Sequence, residues 1–245
     1  MIELKRAMGE RALIIGHRGA RGYAPENTMA SFEKGLALGA DLIELDVHLS
    51  ADGHLMVIHD PTVDRTTDGS GYVKEMTLDQ LRKLDAGSWY GPEFAGQRIP
   101  TLDEVLEWAK GRVGLVIEIK NGPVFYPGIE GKVVKALEAH GMEGEVVVIS
   151  FDHRCVRRVK ELQPRIATGI LYVGRLADPV AAAKAAMADA IHPQADYLAT
   201  RDIKEAHQAG LAVSTWVVND PLRMRGFMEM GVDSIGTDYP NLLRS

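Results

Sequence analysis

The stretch DLIELDVHLSADGHLMVIH, residues 41–59, decides the fold. Residues 41–47 form an apolar, partly β-branched run in which Glu44 and Asp46 stand two apart, and residues 55–59 form a second such run. Both read as strands. Between them lies Ser50-Ala51-Asp52-Gly53, a turn of the hairpin kind. A parallel crossover needs a dozen or more residues. Residues 55–59 are therefore expected to return antiparallel, as the second arm of a hairpin.

Outward from this hairpin, seven further strands are expected at 12–16, 113–120, 146–151, 166–171, 190–192, 211–217 and 234–236. Helices with legible ends separate most of them. Asn27-Thr28 opens one that Gly39 closes, and Thr101-Leu-Asp-Glu104 is a capping box ahead of an apolar face of Leu102, Val105, Leu106 and Ala109. Asp178-Pro179 and Asp220-Pro221 each place an N-cap before a first-turn proline, and Gly141, Gly210 and Gly231 stand where helices should stop. Strands alternating with helices mean βαβ units and a parallel sheet. Setting the hairpin arm aside leaves eight such units in 245 residues, the usual size of an α/β protein of the (β/α)8 TIM-barrel kind. One domain over residues 1–245 is expected, with an insertion of about forty residues, 60–100, whose only helix lies at 77–84. A loop this long in a compact domain is usually functional.

Composition narrows the function. There are 28 Lys and Arg against 34 Asp and Glu, a formal charge of −6, with 46% hydrophobic and 25% charged residues. The acidic balance argues against nucleic acid. No stretch approaches the ~18 consecutive apolar residues of a membrane span. Cys155 is the sole cysteine, which excludes internal disulfides and Cys-based metal sites. Residues 1–16 lack the apolar region of a secretory signal, so the chain reads as cytoplasmic.

In a barrel the active site lies at the C-terminal ends of the strands. Those ends carry Gly16-His17-Arg18-Gly19, Glu44-Leu-Asp46, His59-Asp60, Glu118-Ile-Lys120, Ser150-Phe151, Ser214-Thr-Trp216 and Thr237-Asp238. Side chains two apart on a strand share a face. Glu44 and Asp46 thus point together, as do Glu118 and Lys120, while Leu45, Ile117 and Ile119 face the helices. Three converging carboxylates are the oxygen set of a hard divalent cation, Ca²⁺ or Mg²⁺. Without one, their repulsion pushes at least one toward protonation. Arg18 and Lys120 are donors suited to phosphate oxygens, and His17 and His59 are suited to proton transfer near neutral pH. Together these groups describe displacement at a phosphodiester, with one imidazole taking the nucleophile's proton and the other protonating the leaving alkoxide.

The same motifs resemble the glycerophosphodiester phosphodiesterases. His17-Arg18-Gly19, Pro25-Glu26-Asn27-Thr28, Glu44-Leu45-Asp46-Val47, Asp52-Gly53 and His59-Asp60 carry the likeness. It continues through Asp85-Ala-Gly-Ser88, Ile99-Pro-Thr-Leu102, Glu118-Ile-Lys120, Trp216-Val-Val-Asn219 and Asp233 to Pro240, nearly the whole chain in register. One departure is Val213-Ser-Thr-Trp216, where members often have a more apolar run. The resemblance implies a (β/α)8 barrel that hydrolyses glycerophosphodiesters to sn-glycerol 3-phosphate and an alcohol with a divalent cation. Carried over residue by residue, Glu44, Asp46 and Glu118 match metal ligands and His17 and His59 the acid/base pair. Arg18 and Lys120 match phosphate contacts, and Glu26 and Asn27 match supporting residues. Trp216 and Phe151 are candidates for lining the substrate pocket.

Blander readings compete. Asn27 is also a good helix N-cap, and Lys120 can simply pair with Glu118. His48, His54, His140, His153 and His207 are expected at the surface, while His192, in a strand, has a route into the mouth. The expected partner is a small glycerophosphodiester, with self-association into a homo-oligomer left open. A lysophospholipase D-type enzyme would use the same site on lipids, a non-catalytic phosphodiester-binding barrel would lack a His or a carboxylate, and a sugar-phosphate isomerase leaves the two histidines unexplained. The insertion is expected to cap the mouth and choose the leaving alcohol, with Tyr72, Trp89, Tyr90 and Phe94 offering faces to an ammonium group.

Overall fold

Eight parallel strands close on themselves in the computed structural model of the chain, which describes residues 4–6 and 10–242. The order runs β1 (Leu13–Gly16), β2 (Leu42–Leu49), β4 (Gly114–Ile119), β5 (Val146–Ser150), β6 (Ala167–Tyr172), β7 (Ala190–Pro193), β8 (Ala212–Thr215) and β9 (Ser234–Thr237). Pairing of β9 with β1 and of β1 with β2, Ile15 opposite Leu42, completes the ring. The ninth strand, β3 (Leu55–Val57), pairs antiparallel with β2 in the register Val47–Val57 and Leu49–Leu55. Its turn is tight because Gly53 adopts φ +84°, its N–H donates to the Ser50 carbonyl at 3.0 Å, and the Ser50 hydroxyl accepts from His54 N–H at 2.9 Å. The fold is thus the TIM barrel with an antiparallel arm. The reading of residues 1–16 as free of a secretory signal falls partly outside the described residues.

Several of the helices between the strands start on a side-chain cap that the sequence supplies. In α3 (Leu102–Ala109) the Thr101 hydroxyl accepts from Glu104 N–H and Glu104 accepts from Thr101 N–H at 2.8 Å. Asp178 and Asp220 cap α6 (Pro179–Ala185) and α8 (Pro221–Met230) through the N–H groups of Ala181 and Arg223. Caps of this kind are worth about 0.5–2 kcal/mol each. The helix α1 (Met29–Ala37) differs from expectation: its N-cap is Thr28 alone, because Asn27 turns away into the site.

Alternation sorts the side chains. Ile43, Leu45, Val47, Ile117 and Ile119 pack outward against Leu102, Val105 and Leu106 of α3. Ile15, Leu42, Val116, Val147, Ile149 and Leu171 fill the barrel's interior as a separate cluster. Glu44, Asp46 and Glu118 sit above that plug and are buried all the same. Residues 60–100 carry only the short helix α2 (Leu78–Leu81) and two 3₁₀ turns, and pack on a core of their own that includes Met56, Ile58, Val63, Val73, Leu81 and Ile99. Among the described residues, no helix is long and apolar enough to cross a membrane.

Candidate active site

The loop after β1 is bent to bring its polar groups over β2. Arg18 and Asn27 adopt φ +50° and +57°. Such left-handed backbone costs on the order of 1–3 kcal/mol per residue unless its surroundings hold it. They do so here: Arg18 N–H donates to Glu44 Oε2 at 2.7 Å, and Asn27 Nδ2 donates to Asp46 Oδ2 at 2.8 Å. Gly19, at φ +90°, lies so close to Ser31 that a Cβ would meet it at 2.4 Å.

Glu44, Asp46 and Glu118 each offer a carboxylate oxygen within 4.8 Å of the others. Burial and the neighbouring Asp46 push Glu44 well above the usual carboxylate range, and burial brings Glu118 up to about 7 despite Lys120 beside it. Burial would raise Asp46 too, but Lys120 and Arg18 outweigh it and hold Asp46 well below the usual range. Lys120 Nζ donates to Glu118 Oε1 at 2.6 Å and lies 3.0 Å from Asp46 Oδ1, so the ion-pair reading of Lys120 holds as geometry. That second approach lacks hydrogen-bond geometry, and Asp46 Oδ1 is buried without a hydrogen-bond partner. Held by the Lys120 charge but by no hydrogen bond, this oxygen of a residue only 1% exposed keeps acceptor capacity that is costly to leave unused when buried. Its setting, between two further carboxylates, fits a hard cation. Arg18 Nε is likewise buried without a hydrogen bond, in an ion pair with Asp46 Oδ2 at 3.4 Å, while Nη1 donates to Glu26 Oε1 at 2.6 Å.

Both expected imidazoles reach the same cavity, and each is held by a carboxylate. His17 Nδ1 lies 2.7 Å from Asp238 Oδ1, and Asn219 Nδ2 donates to Asp238 Oδ2 at 2.7 Å. His59 Nδ1 lies 2.6 Å from Asp60 Oδ1. A carboxylate only accepts, so Nδ1 carries the proton in both rings and Nε2 is left to exchange protons. Burial lowers both imidazoles below their ordinary value, with Asp238 opposing the shift at His17 and Asp46 opposing it at His59. Arg65, from the insertion, ties the supports together. Its Nη1 and Nη2 donate to Glu26 at 3.0 and 2.7 Å, and its Nε donates to Asp60 at 2.7 Å. Burial would raise Glu26, yet Arg65 and Arg18 hold it at about 2.

The cavity at the mouth is lined by His17, Arg18, Glu44, His59, Glu118 and Lys120 above an apolar floor, with Phe151, His192 and Trp216 on its far side. Phe151 and Trp216 meet edge to face at 5.6 Å, and Trp216 Nε1 donates to the His192 carbonyl at 2.8 Å. Asp46, Glu26 and Asn27 stand behind the lining. The aromatic wall differs from expectation: Trp89, Tyr90 and Phe94 stack among themselves in the insertion, Tyr72 lies under Lys74, and none of the four lines this cavity.

One histidine also departs from expectation. His48 is buried rather than at the surface, paired to the Tyr126 hydroxyl and the His59 carbonyl at 2.9 Å each, because β2 runs two residues longer than its apolar alternation. His192 does enter the mouth. The sequence alone assigns no task to Asp60 or Asp238, although Asp60 directly follows an expected strand and Asp238 stands two residues past another. Arg65 carries no local signal at all.

The model of the glycerophosphoryl diester phosphodiesterase family matches residues 17–242. A glycerophosphodiester phosphodiesterase of Caldanaerobacter subterraneus subsp. tengcongensis is 44% identical over 234 residues, 95% of this chain and 96% of that one. Among solved structures, a glycerophosphodiester phosphodiesterase from Agrobacterium tumefaciens matches with TM-score 0.83 at 34% identity, covering 94% of this chain and 98% of that one. A phosphodiesterase from Oleispira antarctica in complex with the product sn-glycerol-3-phosphate matches with TM-score 0.86 at 29% identity, covering 96% of each.

Proposed function

Because this chain belongs to the glycerophosphoryl diester phosphodiesterase family and is an enzyme of that kind, we propose that it hydrolyses glycerophosphodiesters to sn-glycerol 3-phosphate and an alcohol, with His17 and His59 as the acid/base pair. The observation that carries the reading is the buried triad Glu44, Asp46 and Glu118 facing two imidazoles whose Nδ1 atoms are held by carboxylates. Glu44, Asp46 and Glu118 would hold a divalent cation, Ca²⁺ or Mg²⁺, which supplies positive charge against the phosphoryl oxygens. Arg18 takes a further oxygen through Nε, the buried donor left without a hydrogen bond, and Lys120 presents its ammonium from the end of β4, two strands round the ring.

One imidazole accepts the nucleophile's proton at Nε2 as the new P–O bond forms. The other gives a proton to the leaving alkoxide as the old bond breaks, so protons balance across the pair. Asp238 and Asp60 keep the rings in that tautomer and orientation. Asn27 fixes Asp46, and Glu26 fixes Arg18. Trp216 and Phe151 close the apolar side and exclude water. Residues 60–100 act as a cap at one rim of the mouth, a role supported by Arg65 reaching across to Glu26.

The test is turnover of several glycerophosphodiesters before and after exhaustive chelation, followed by Mg²⁺ or Ca²⁺ add-back. Loss and recovery of sn-glycerol 3-phosphate release is the expected result. Full activity in the chelated protein refutes the cation, and no release from any diester refutes the reaction.

A further inference from the structure

Two cavities share a wall at the mouth. The inner one, ≈ 80 Å³, runs from the carboxylates to His192. The outer one, ≈ 310 Å³, opens between the loop after β4 and the start of α5 (His153–Leu162), with Asn121, Phe125 and Asp152 on its sides. Glu118, Lys120 and Phe151 line both. A phosphodiester held at Arg18 and Lys120 therefore has one arm in each.

We propose that the outer cleft is the subsite for the leaving alcohol and that it selects an alcohol carrying an ammonium group. This rests on the reaction assigned above. Phe125, Phe151 and Asp152 are the specificity-determining residues.

The constant arm of the substrate, glycerol, belongs inside. His192 is buried there, and its Nε2 has no hydrogen-bond partner among the described residues. A Cβ on Gly169 would come within 2.5 Å of that ring, so the floor is shaped around the imidazole. An unpaired buried nitrogen is costly, and a hydroxyl is its natural complement. The variable arm, which must differ in size between substrates, is left with the larger and outer space.

Lys120, on the wall shared with the inner cavity, is paired with Glu118 and Asp46, and the rest of the outer lining is suited to a cation. Phe125 is 69% and Phe151 47% exposed, two large apolar rings at the edge of one cleft. Elsewhere among the described residues, Lys34, Lys74, Arg112 and Arg223 already sit over Tyr23, Tyr72, Trp108 and Phe227. Among the described residues, Phe125 and Phe151 have no such cation over them. Asp152 completes the set. Its oxygens accept from the N–H groups of Arg154 and Cys155 at 3.0 and 3.4 Å and from Asn121 Nδ2 at 2.9 Å, all neutral donors. The carboxylate thus meets the amides of α5 but no side-chain cation among the described residues. Rings and carboxylate together recognise an ammonium through the cation–π effect and charge.

The experiment compares kcat/KM for glycerophosphocholine, glycerophosphoethanolamine and glycerophosphoglycerol in the wild type, Phe125→Ala and Asp152→Asn. Asparagine caps helices as well as aspartate does, so the second variant keeps the cap of α5 while removing the charge and the acceptor for Asn121. The wild type should prefer the two ammonium esters over the glycerol ester. In each variant the choline-to-glycerol ratio of kcat/KM should fall about 3–10-fold, mostly through KM for the choline ester. A ratio within 2-fold of wild type in both variants overturns the subsite, as does a wild type that prefers the glycerol ester. A shared loss for choline and ethanolamine supports recognition of charge, and a loss for choline alone supports recognition of its methyl groups by the rings. Binding of free choline, read by saturation-transfer NMR, gives a measure independent of turnover. If the wild type hydrolyses none of the esters, the reaction reading fails, and choline binding that is lost in Phe125→Ala still upholds the subsite. Absence of choline binding in the wild type then overturns the subsite as well.

Discussion

Adding a divalent cation to the metal-stripped protein should raise its melting temperature by about 5–10 °C. Three carboxylates, Glu44, Asp46 and Glu118, face two cations, Lys120 and Arg18, which leaves one negative charge in excess inside a buried cluster. Without a cation the cluster relieves its repulsion by holding protons, as the raised Glu44 and Glu118 show. The sign follows. A carboxyl lifted from 4.5 to about 7 binds more protons folded than unfolded across that window, so the stripped protein loses stability as pH rises through it. A bound cation removes that loss by stabilising the ionised forms. Taking a free cation concentration of roughly 100 times Kd, binding adds about 2.7 kcal/mol. In a chain of this size each kcal/mol moves Tm by about 2–4 °C, which gives the stated rise. Differential scanning calorimetry after EDTA treatment and dialysis, with Mg²⁺ and Ca²⁺ added back, measures it. The rise should be larger at pH 8 than at pH 6 and should mostly vanish in Glu118→Gln. A shift below about 1 °C with either cation, or an undiminished shift in both Glu118→Gln and Glu44→Gln, refutes the reasoning.

Three further outcomes are expected. His17→Ala and His59→Ala should each lower kcat by about 10²–10⁴-fold with Tm retained, and near-normal kcat in both removes the acid/base assignment. In Asp238→Asn the hydrogen bond that raises His17 is weakened while burial still lowers it, so the acid limb of the kcat/KM profile should move to lower pH; an upward shift contradicts this. Arg65→Ala should lower kcat/KM about 10–100-fold for every head group alike, since Glu26 and Asp60 lose a common brace, and Arg65→Lys should recover only part. A loss confined to one head group would instead make the insertion a selector of the alcohol.

Local signals account for what was legible in the chain. Alternation in 41–47 and 113–120 depends on immediate neighbours, and caps such as Thr101, Asp178 and Asp220 act within one helical turn, so strands and helices could be read one at a time. The four-residue turn at 50–53 excluded a parallel crossover by length alone, which turned nine strands into an eight-stranded barrel. The same period-2 rule puts Glu44, Asp46, Glu118 and Lys120 together on the inner face. Long-range closure decided the rest. That Thr28 rather than Asn27 caps α1 depends on Asp46, nineteen residues on, offering Asn27 a better partner. Arg65 meets Glu26 across 39 residues of chain only because the insertion packs on Met56, Ile58 and Ile99. Likewise, the aromatic wall falls to Phe151 and Trp216, from strand ends on the far side of the ring, while the insertion's rings satisfy one another. A side chain's orientation is written in its own few neighbours; its partner is chosen by loops meeting over the mouth, where packing between distant segments sets the distances.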